Sequence, residues 1–468
     1  MLRSLIPALA LLASPAAADT LPEAIAAAYA TNPQIAAARA ALRQVDEGVP
    51  LARSATLPSA SLDGSFSQSL SDQFGDLGRI WRGGVTLRQS IFQGGQVRAN
   101  ISAAEARILA QRARLRATEY RVLVDTVTAY ADVLRTEAVV RLNENQVKVL
   151  GEQLRASRDR FEVGDLTRTD VAQSEARLAA AQAQLMAARA QQVVARQAYQ
   201  RLVGRPPSRL APLPALPPVP ATENEAREIA LEQNPTLVAA RLDEKAAFDD
   251  VRAAKAQRGP SVGLQASGAY TRFEGQPAGL GPGASQSGFD PQIGVSASLP
   301  LFTGGAIAAQ VRQAQARQSQ ALELIALNER LAAEGAVDSF VQLRTAESVI
   351  ESAKVQVSAN ELAAEGVRQE NLVGSRDILD VLNAEQELLN ARVSLVQAER
   401  DRYVAAFRLL EAIGDIEPVL AGAPVGRYDA AANAARVRGK GLQEFGYDRD
   451  PRTDRTQNQA PGFVGPQP

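Results

Sequence analysis

The side chains that most often perform chemistry in enzymes are largely missing from this sequence. Its 468 residues include no cysteine and no histidine. Thiolate nucleophiles, Ser-His-Asp triads, imidazole bases and nearly all zinc sites are therefore excluded. The 52 Asp and Glu residues leave carboxylate catalysis and Mg²⁺ binding open. No paired-acid motif lies in a context typical of a cleft, so the sequence argues against an enzyme and we expect no cofactor.

Composition narrows the class of protein further. The formal net charge is −1, so nothing indicates nucleic acid as a partner. Aromatic residues make up only 4% of the chain, whereas Ala and Gln are abundant. This composition favours long helices that pack closely through small side chains over a bulky globular core.

The first residues have the pattern of a secretory signal. Arg3 supplies a positive start, Leu5 to Ala13 form a short apolar stretch, and small residues precede Asp19. We predict a signal peptide over residues 1–18, with cleavage after Ala18. No later stretch is long and apolar enough for a transmembrane helix. The mature chain is therefore expected in the periplasm, outside the cell or in an outer membrane.

The chain contains an internal duplication. The sequence EAIAAAYATNP at residues 23–33 matches EAREIALEQNP at residues 225–235, an offset of 202 positions. Further along, Phe92-Gln93-Gly94-Gly95 matches Phe302-Thr303-Gly304-Gly305, at an offset of 210 positions. The second copy therefore carries about eight extra residues. They fall between residues 272 and 290, where abundant Gly and Pro predict an exposed loop.

The duplication defines the expected domain organisation. Two copies, 19–205 and 222–415, are joined by a Pro-rich linker at 206–221. Each copy is predicted to contain a helix, two strands and two further helices. The remaining segment, 416–468, is expected to be an equatorial or disordered tail, with disorder after about Arg427 because the sequence there is polar.

Two regions, at about 57–93 and 260–302, alternate apolar and polar residues with the period of a strand. The apolar positions are Ala60, Leu62, Phe66, Trp81, Val85, Leu87, Ile91, Val262, Leu264, Ala266, Tyr270, Ile293, Val295, Ala297 and Leu299. Serine, threonine, glutamine and arginine occupy most positions between them. Strands of 10–12 residues with one apolar face are typical of a membrane barrel wall, and also of a soluble antiparallel sheet.

Four strands cannot enclose an aqueous lumen, because small closed barrels need about eight. An open four-stranded sheet in lipid would leave unpaired backbone groups at its edges, which hydrocarbon does not tolerate. If the strands span a membrane, the chain must therefore form an oligomer.

The segments outside the strands have long helical patterns. A helix from Gln96 to about Arg160 would be roughly 100 Å long, and the helices at about 167–203 and 22–55 roughly 55 and 50 Å. Two short helices end to end thus match one long helix. The second copy repeats this arrangement. An alternative interpretation is a structural periplasmic coiled-coil rod, or an adaptor without a pore.

Together these motifs resemble the TolC family of outer-membrane efflux and type I secretion channels, over about residues 20 to 415. The resemblance depends on motifs that occur once in each copy: Asn32-Pro33 and Asn234-Pro235, Ile91 to Gly95 and Leu301 to Gly305, and Val163-Gly164 to Asp170-Val171 and Val373-Gly374 to Asp380-Val381. It implies a mixed fold, with a membrane β-barrel and an all-α periplasmic coiled-coil tunnel. It also implies a homotrimer in which four strands per chain form a shared twelve-stranded barrel.

The resemblance further implies location in the cell outer membrane, in contact with lipid, with a long periplasmic extension. The expected partners are a periplasmic adaptor and an inner-membrane ABC or proton-driven pump. The cargo, whether drugs or protein, stays open. The Gly/Pro-rich loop near 275–288 would face the cell exterior.

The resemblance also places functional residues at two hairpin tips, at about 163–170 and 373–380. Asp380 and Asn383 match positions that ring the pore constriction, and only Asp380 keeps a carboxylate. The alternative for Asp380 is a solvated helix face. Gly164 and Gly374 match adaptor contacts, although both could be simple turn glycines.

In the same family, a network between the tips holds the channel closed. The matching residues here are Thr169, Asp170, Asn371 and Arg376. The resemblance predicts a charge-assisted link between Asp170 and Arg376. Asn371 replaces an aromatic hydroxyl found in other members.

Overall fold

The structure is a computed structural model that describes residues 19–68, 79–274, 287–416, 419, 422, 426 and 428–438. The predicted signal peptide, most of the Gly/Pro-rich insertion and the tail beyond residue 438 lie outside the described residues. The predictions made for those segments stay predictions.

Each copy forms helices, then two strands, then two long helices. The first copy contains α1 Leu21–Thr31, α2 Pro33–Asp46, α3 Gly48–Ser54, β1 Ser59–Gln68, β2 Arg79–Gln93, α4 Gln96–Glu162 and α5 Arg168–Val203. The second contains α6 Glu223–Gln233, α7 Pro235–Ala256, β3 Ser261–Glu274, β4 Ser287–Ser298, α8 Ala306–Leu372 and α9 Ile378–Ile413. A short helix, α10 Ala432–Val437, follows.

The long helices have equal lengths in the two copies. Both α4 and α8 contain 67 residues, and both α5 and α9 contain 36. A helix of this length extends roughly 100 Å, as expected from the sequence. Helices α1 to α3 follow one another along α4, and α5 packs on α4 to form a hairpin. None of the described helices combines the length and apolarity needed to cross a bilayer.

The first helix of each copy is interrupted at its Asn-Pro pair, whereas the sequence predicted one continuous helix over 22–55. Asn32 has extended backbone angles, and its side chain accepts a hydrogen bond from the N–H of Gln34. Its amide also donates to the carbonyl of Leu202 at the end of α5, at 3.3 Å. Asn234 donates equivalently to Ala412 at 2.9 Å. The motif therefore caps a new helix and ties it to the end of the hairpin.

The four strands form one antiparallel sheet in the order β1-β2-β3-β4. The β2–β3 pair joins the two copies, and β1 and β4 form the edges. Every strand thus contributes to a single layer that begins where the long helices begin, at Gln96 and Ala306.

The strand register places most of the predicted apolar residues on one face of the sheet. The exceptions are Ile91, which lies at a bulge where Phe92 pairs with Val262, and Leu299, which lies beyond the end of β4. Leu62 lies opposite Val85, and Tyr270 lies opposite Phe289. In a soluble sheet this face would be buried on a core. Here Leu62 is 81% exposed and Ile293 is 79% exposed. The apolar face is exposed on β1, β2 and β4 and mostly half-exposed on β3, which favours the membrane interpretation.

The main hydrophobic core lies midway along the helices and contains residues of both copies. Leu21, Tyr130, Tyr199, Phe407 and Ile413 are among its buried members. The hydroxyl oxygen of Tyr130 lies 2.7 Å from the carbonyl oxygen of Ala211, which ties the Pro-rich linker to this core. Burial raises the pKa of Tyr199 to about 12, so its hydroxyl stays neutral.

Residues 428–438 are folded, which differs from the disorder predicted after about Arg427. The guanidinium of Arg39 lies 4.5 Å from the ring centroid of Tyr29 and 4.7 Å from that of Tyr428. Asn433 donates to the buried carboxylate of Asp46 at 2.8 Å. These contacts with α1 and α2 fix the segment despite its polar sequence.

Replacing Gly414 by alanine is expected to destabilise the protein more than the same change at Gly374. Both glycines have positive φ, +80° and +78°, so each substitution incurs the left-handed penalty of about 1–2 kcal/mol. A Cβ on Gly414 would also lie 2.6 Å from the backbone oxygen of Gln233, whereas a Cβ on Gly374 meets nothing within 4 Å. Thermal unfolding followed by circular dichroism measures the difference. Equal melting temperatures for Gly414→Ala and Gly374→Ala would contradict it.

Candidate functional site

The candidate site lies at the turns of the two helical hairpins, at the opposite end of α4 and α8 from the sheet. Gly164 and Gly374 form these turns with φ of +81° and +78°. Nothing lies within 4 Å of the position that a Cβ would occupy on either glycine. The backbone angle therefore requires glycine, and the surrounding space is open.

The first turn is stabilised by contacts within its own hairpin. The carboxylate of Asp170 accepts hydrogen bonds from the hydroxyl and the backbone N–H of Thr167, at 2.7 and 2.8 Å. These donors lower the pKa of Asp170. Arg160, in the last turn of α4, pairs with Asp165 at 2.9 Å. Thr169 is exposed in the first turn of α5.

The second turn contains a charged cluster. Arg376 pairs with Glu370 at 2.8 Å and with Asp380 at 3.4 Å. The two carboxylates, Glu370 first, raise the pKa of Arg376. The side chain of Asp380 stays 44% exposed. It can therefore present a carboxylate to solvent while retaining one charged neighbour.

Among the described residues, two side-chain hydrogen bonds join the hairpins near their tips. The amide oxygen of Asn371 accepts from Arg160 at 3.4 Å, and its nitrogen donates to the carbonyl of Arg376 at 2.8 Å. Asn371 is only 7% exposed. Further from the turns, Arg177 of α5 donates to the amide oxygen of Asn383 of α9 at 2.7 Å. Arginines of the first hairpin thus contact amides of the second.

An apolar cluster supports these contacts. It contains residues from three of the four long helices: Leu150, Ala181, Ile378, Val381 and Leu382. Ile378 and Leu382 are almost fully buried. Because Val381 and Leu382 lie between Asp380 and Asn383 at the start of α9, the cluster fixes that part of α9 against the first hairpin.

The predicted link between Asp170 and Arg376 does not occur within the chain. Asp170 caps α5, and Arg376 pairs with acidic residues of its own hairpin. Local partners are favoured because they hold each side chain without a long-range constraint. The side chains of Asn371 and Asn383 do join the hairpins, but through Arg160 and Arg177.

Sequence reasoning missed Arg160 and Arg177. A signal was available for Arg160, because the duplication places it at the position equivalent to Glu370. A charge reversal between equivalent positions indicates complementary surfaces. The same signal was available for Arg177, because the duplication places it at the position equivalent to Glu387.

Apolar side chains also protrude at both turns. Val163 is 79% exposed and Val373 is 80% exposed, and Phe161 and Leu372 lie beside them. Exposed apolar groups next to glycine turns are typical of a protein contact surface.

Comparisons with known proteins agree with this architecture. Residues 24–205 and 226–415 match the family model described as outer membrane efflux protein. The outer membrane efflux protein BepC of Brucella suis is 34% identical over 428 residues, covering 91% of this chain and 92% of BepC. The outer membrane protein TolC of Vibrio cholerae is 27% identical, covering 90% of this chain and 97% of TolC.

The fold also matches a solved structure. The CmeC outer membrane channel of Campylobacter jejuni aligns with a TM-score of 0.72 at 19% identity, covering 91% of this chain and 90% of CmeC. The resemblance stated from the motifs is therefore confirmed. The chain is an outer-membrane protein, and it belongs to the outer membrane efflux protein family.

Proposed function

We propose that three copies of this chain form a passive export duct across the outer membrane and the periplasm. The observation that carries the proposal is the continuity between the sheet and the hairpins. A single-layer sheet with an exposed apolar face leads directly into helices of 67 residues, about 100 Å long. A wall with lipid on one side and water on the other needs such a sheet.

The number of copies follows from the sheet. Both edge strands, β1 and β4, would have unpaired backbone groups in lipid unless a neighbouring protomer pairs with them. Three copies supply twelve strands, enough for a barrel with an aqueous lumen. Each β1 would then pair with β4 of the neighbouring protomer.

We assign the hairpin tips to the gate and the constriction. The Arg160–Asn371 and Arg177–Asn383 contacts hold the two hairpins of one protomer together. Threefold repetition would place three Asp380 carboxylates around the entrance, where like charges concentrate cations. Asn383 adds no second charged ring.

The exposed apolar turns around Gly164 and Gly374 are the proposed docking surface for a periplasmic adaptor. An inner-membrane pump, ABC-type or proton-driven, would supply the energy. The proposal assigns no chemical reaction to the duct itself. Drug efflux and one-step protein secretion both fit such a duct, and BepC is named an efflux protein. Comparing drug sensitivity with secreted-protein levels in a deletion strain separates them.

Disulfide trapping between β1 and β4 tests the shared barrel. The natural sequence has no cysteine, so introduced thiols report without background. Ser61 lies on β1 and Ser296 on β4, both on the polar face. Opposed antiparallel residues lie about 4.5–5.5 Å apart, within disulfide range. To scan the register, Ser61→Cys is combined in turn with Ser296→Cys, Ser298→Cys or Gln292→Cys. We therefore expect covalent dimers and trimers from the pair whose residues lie opposite each other.

A matched control combines Ser61→Cys with Ser352→Cys, since Ser352 lies on the exposed surface of α8, far from the sheet. This pair is expected to stay monomeric on a non-reducing gel. The absence of covalent trimers from all three strand pairs in outer-membrane fractions would contradict the shared barrel.

A further inference from the structure

The polarity of the β2–β3 pair reverses at the strand ends furthest from the helices. Arg79 of β2 and Arg272 of β3 lie on the face that carries the apolar residues. Ile80 and Phe273, which lie opposite each other, occupy the other face at the same level. The apolar band therefore ends here, and on the same face the guanidinium groups of Arg79 and Arg272 follow it.

Aromatic residues mark the boundary immediately before this reversal. Trp81 lies opposite Arg272, and its ring centroid is 4.5 Å from that of Phe66. Tyr270 lies two residues before Arg272 on the same face. Membrane barrels place such aromatic girdles at the lipid–water interface. An arginine on the lipid-facing side is strongly destabilising at the bilayer midplane and is tolerated near the interface.

The side of the membrane follows from the helices. Because they extend into the periplasm, the strand ends at residues 79 and 274 point to the cell exterior. Arg79 and Arg272 thus lie at the headgroup level of the outer leaflet. They belong to the two central strands, so pairing of the edge strands with another copy leaves them uncovered.

The charged side chains at this end of the β2–β3 pair, Arg79, Arg272 and Glu274, are unevenly paired. Arg272 contacts Glu274 at 2.9 Å, and both side chains are exposed to solvent. Arg79 makes no ion pair with the residues that the structure describes. In the register, Arg79 lies opposite Glu274 and diagonal to Arg272, a spacing of about 7–8 Å between backbones. The three groups carry a net charge of +1, and among the described residues the Arg79 guanidinium has no acidic partner that would compete with an anion.

We propose that Arg79 and Arg272 bind the phosphate groups of a phosphorylated glycolipid in the outer leaflet. Guanidinium groups match phosphate oxygens in charge and in planar hydrogen-bond geometry. Phe66, Trp81 and Tyr270 lie on the same face, where they contact the acyl chains of that lipid. The charge complementarity and the aromatic row select an amphiphile with a phosphorylated head over a soluble anion.

Binding of purified lipopolysaccharide to the detergent-solubilised protein tests this site. Arg79→Gln combined with Arg272→Gln is expected to weaken binding about tenfold or more, because both phosphate contacts are lost. Glu274→Gln is expected to strengthen it, because a carboxylate that repels phosphate is removed. Arg82→Gln is the matched control: Arg82 lies on β2 but on the opposite face, where it donates to Thr271 at 3.3 Å. We expect it to bind as the wild type does.

Dephosphorylated lipopolysaccharide provides a test that needs no variant. It is expected to bind the wild type as weakly as the intact lipid binds the double variant, so the test holds even if that variant fails to fold. Equal binding by the double variant and Arg82→Gln, equal binding of intact and dephosphorylated lipid, or equally tight binding of phosphatidylglycerol vesicles would each overturn the proposal.

Discussion

Removing Arg160 and Arg177 together is expected to raise the open probability of the duct by about tenfold or more. These arginines make polar side-chain contacts that join the two hairpins near the tip, at 3.4 Å to Asn371 and 2.7 Å to Asn383. A hydrogen bond to a charged group contributes about 1.5–3 kcal/mol when buried, and less when solvent screens it. If each protomer loses about 1 kcal/mol of closing energy, the three protomers that open together lose about 3 kcal/mol. This changes the equilibrium between the closed and open duct close to a hundredfold.

Single-channel recording in planar bilayers measures this effect for Arg160→Ala combined with Arg177→Ala. Arg158→Ala is the matched control, because Arg158 pairs at 2.6 Å with Glu175, which belongs to the same hairpin. It removes an arginine salt bridge at the same level without loosening one hairpin from the other. If the double variant opens no more often than Arg158→Ala, these contacts do not hold the gate.

The sequence predicted the fold well where the pattern is regular and repeated. Alternation along the strands identified the apolar face, because a period of two leaves no choice of side once one residue is placed. The duplication predicted equal hairpins, and α4 and α8 do match in length. In both cases, many residues carry the same information.

Prediction was weaker where a single side chain chooses between partners. Asp170 could cap its own helix or reach Arg376, and the sequence contains both options. The cap prevails because Thr167 lies three residues away, so the contact requires almost no ordering of the chain. Arg160 and Arg177 were missed because their partners, Asn371 and Asn383, belong to the other copy.

The packed segment at 428–438 was mispredicted for a related reason. Its polar composition is typical of disorder, and its order depends on Arg39, nearly four hundred residues earlier. Composition cannot reveal a ring that covers a buried guanidinium. Such contacts become visible only when the fold brings both residues together.

Asp380→Asn is expected to abolish most cation block of the duct, raising the concentration of a divalent or trivalent cation needed for half-block by about tenfold or more. Asp380 is the acidic residue in the first turn of α9, and its half-exposed carboxylate pairs with Arg376 at 3.4 Å. Asn383 supplies no second ring of charge and is already bound by Arg177. Three Asp380 side chains would therefore account for nearly all of the field at the constriction.

The matched control is Asp170→Asn at the equivalent position of the first hairpin. It removes the same charge, and the amide oxygen can still accept from Thr167 to cap α5. Because Asp170 is already satisfied by that cap, we expect its loss to leave the half-blocking concentration within about twofold of the wild type. Block that survives Asp380→Asn, or falls equally in both variants, would mean that Asp380 lies on a solvated helix face rather than in the pore. Block lost only in Asp380→Asn would place the selectivity of the entrance in a single ring of three carboxylates.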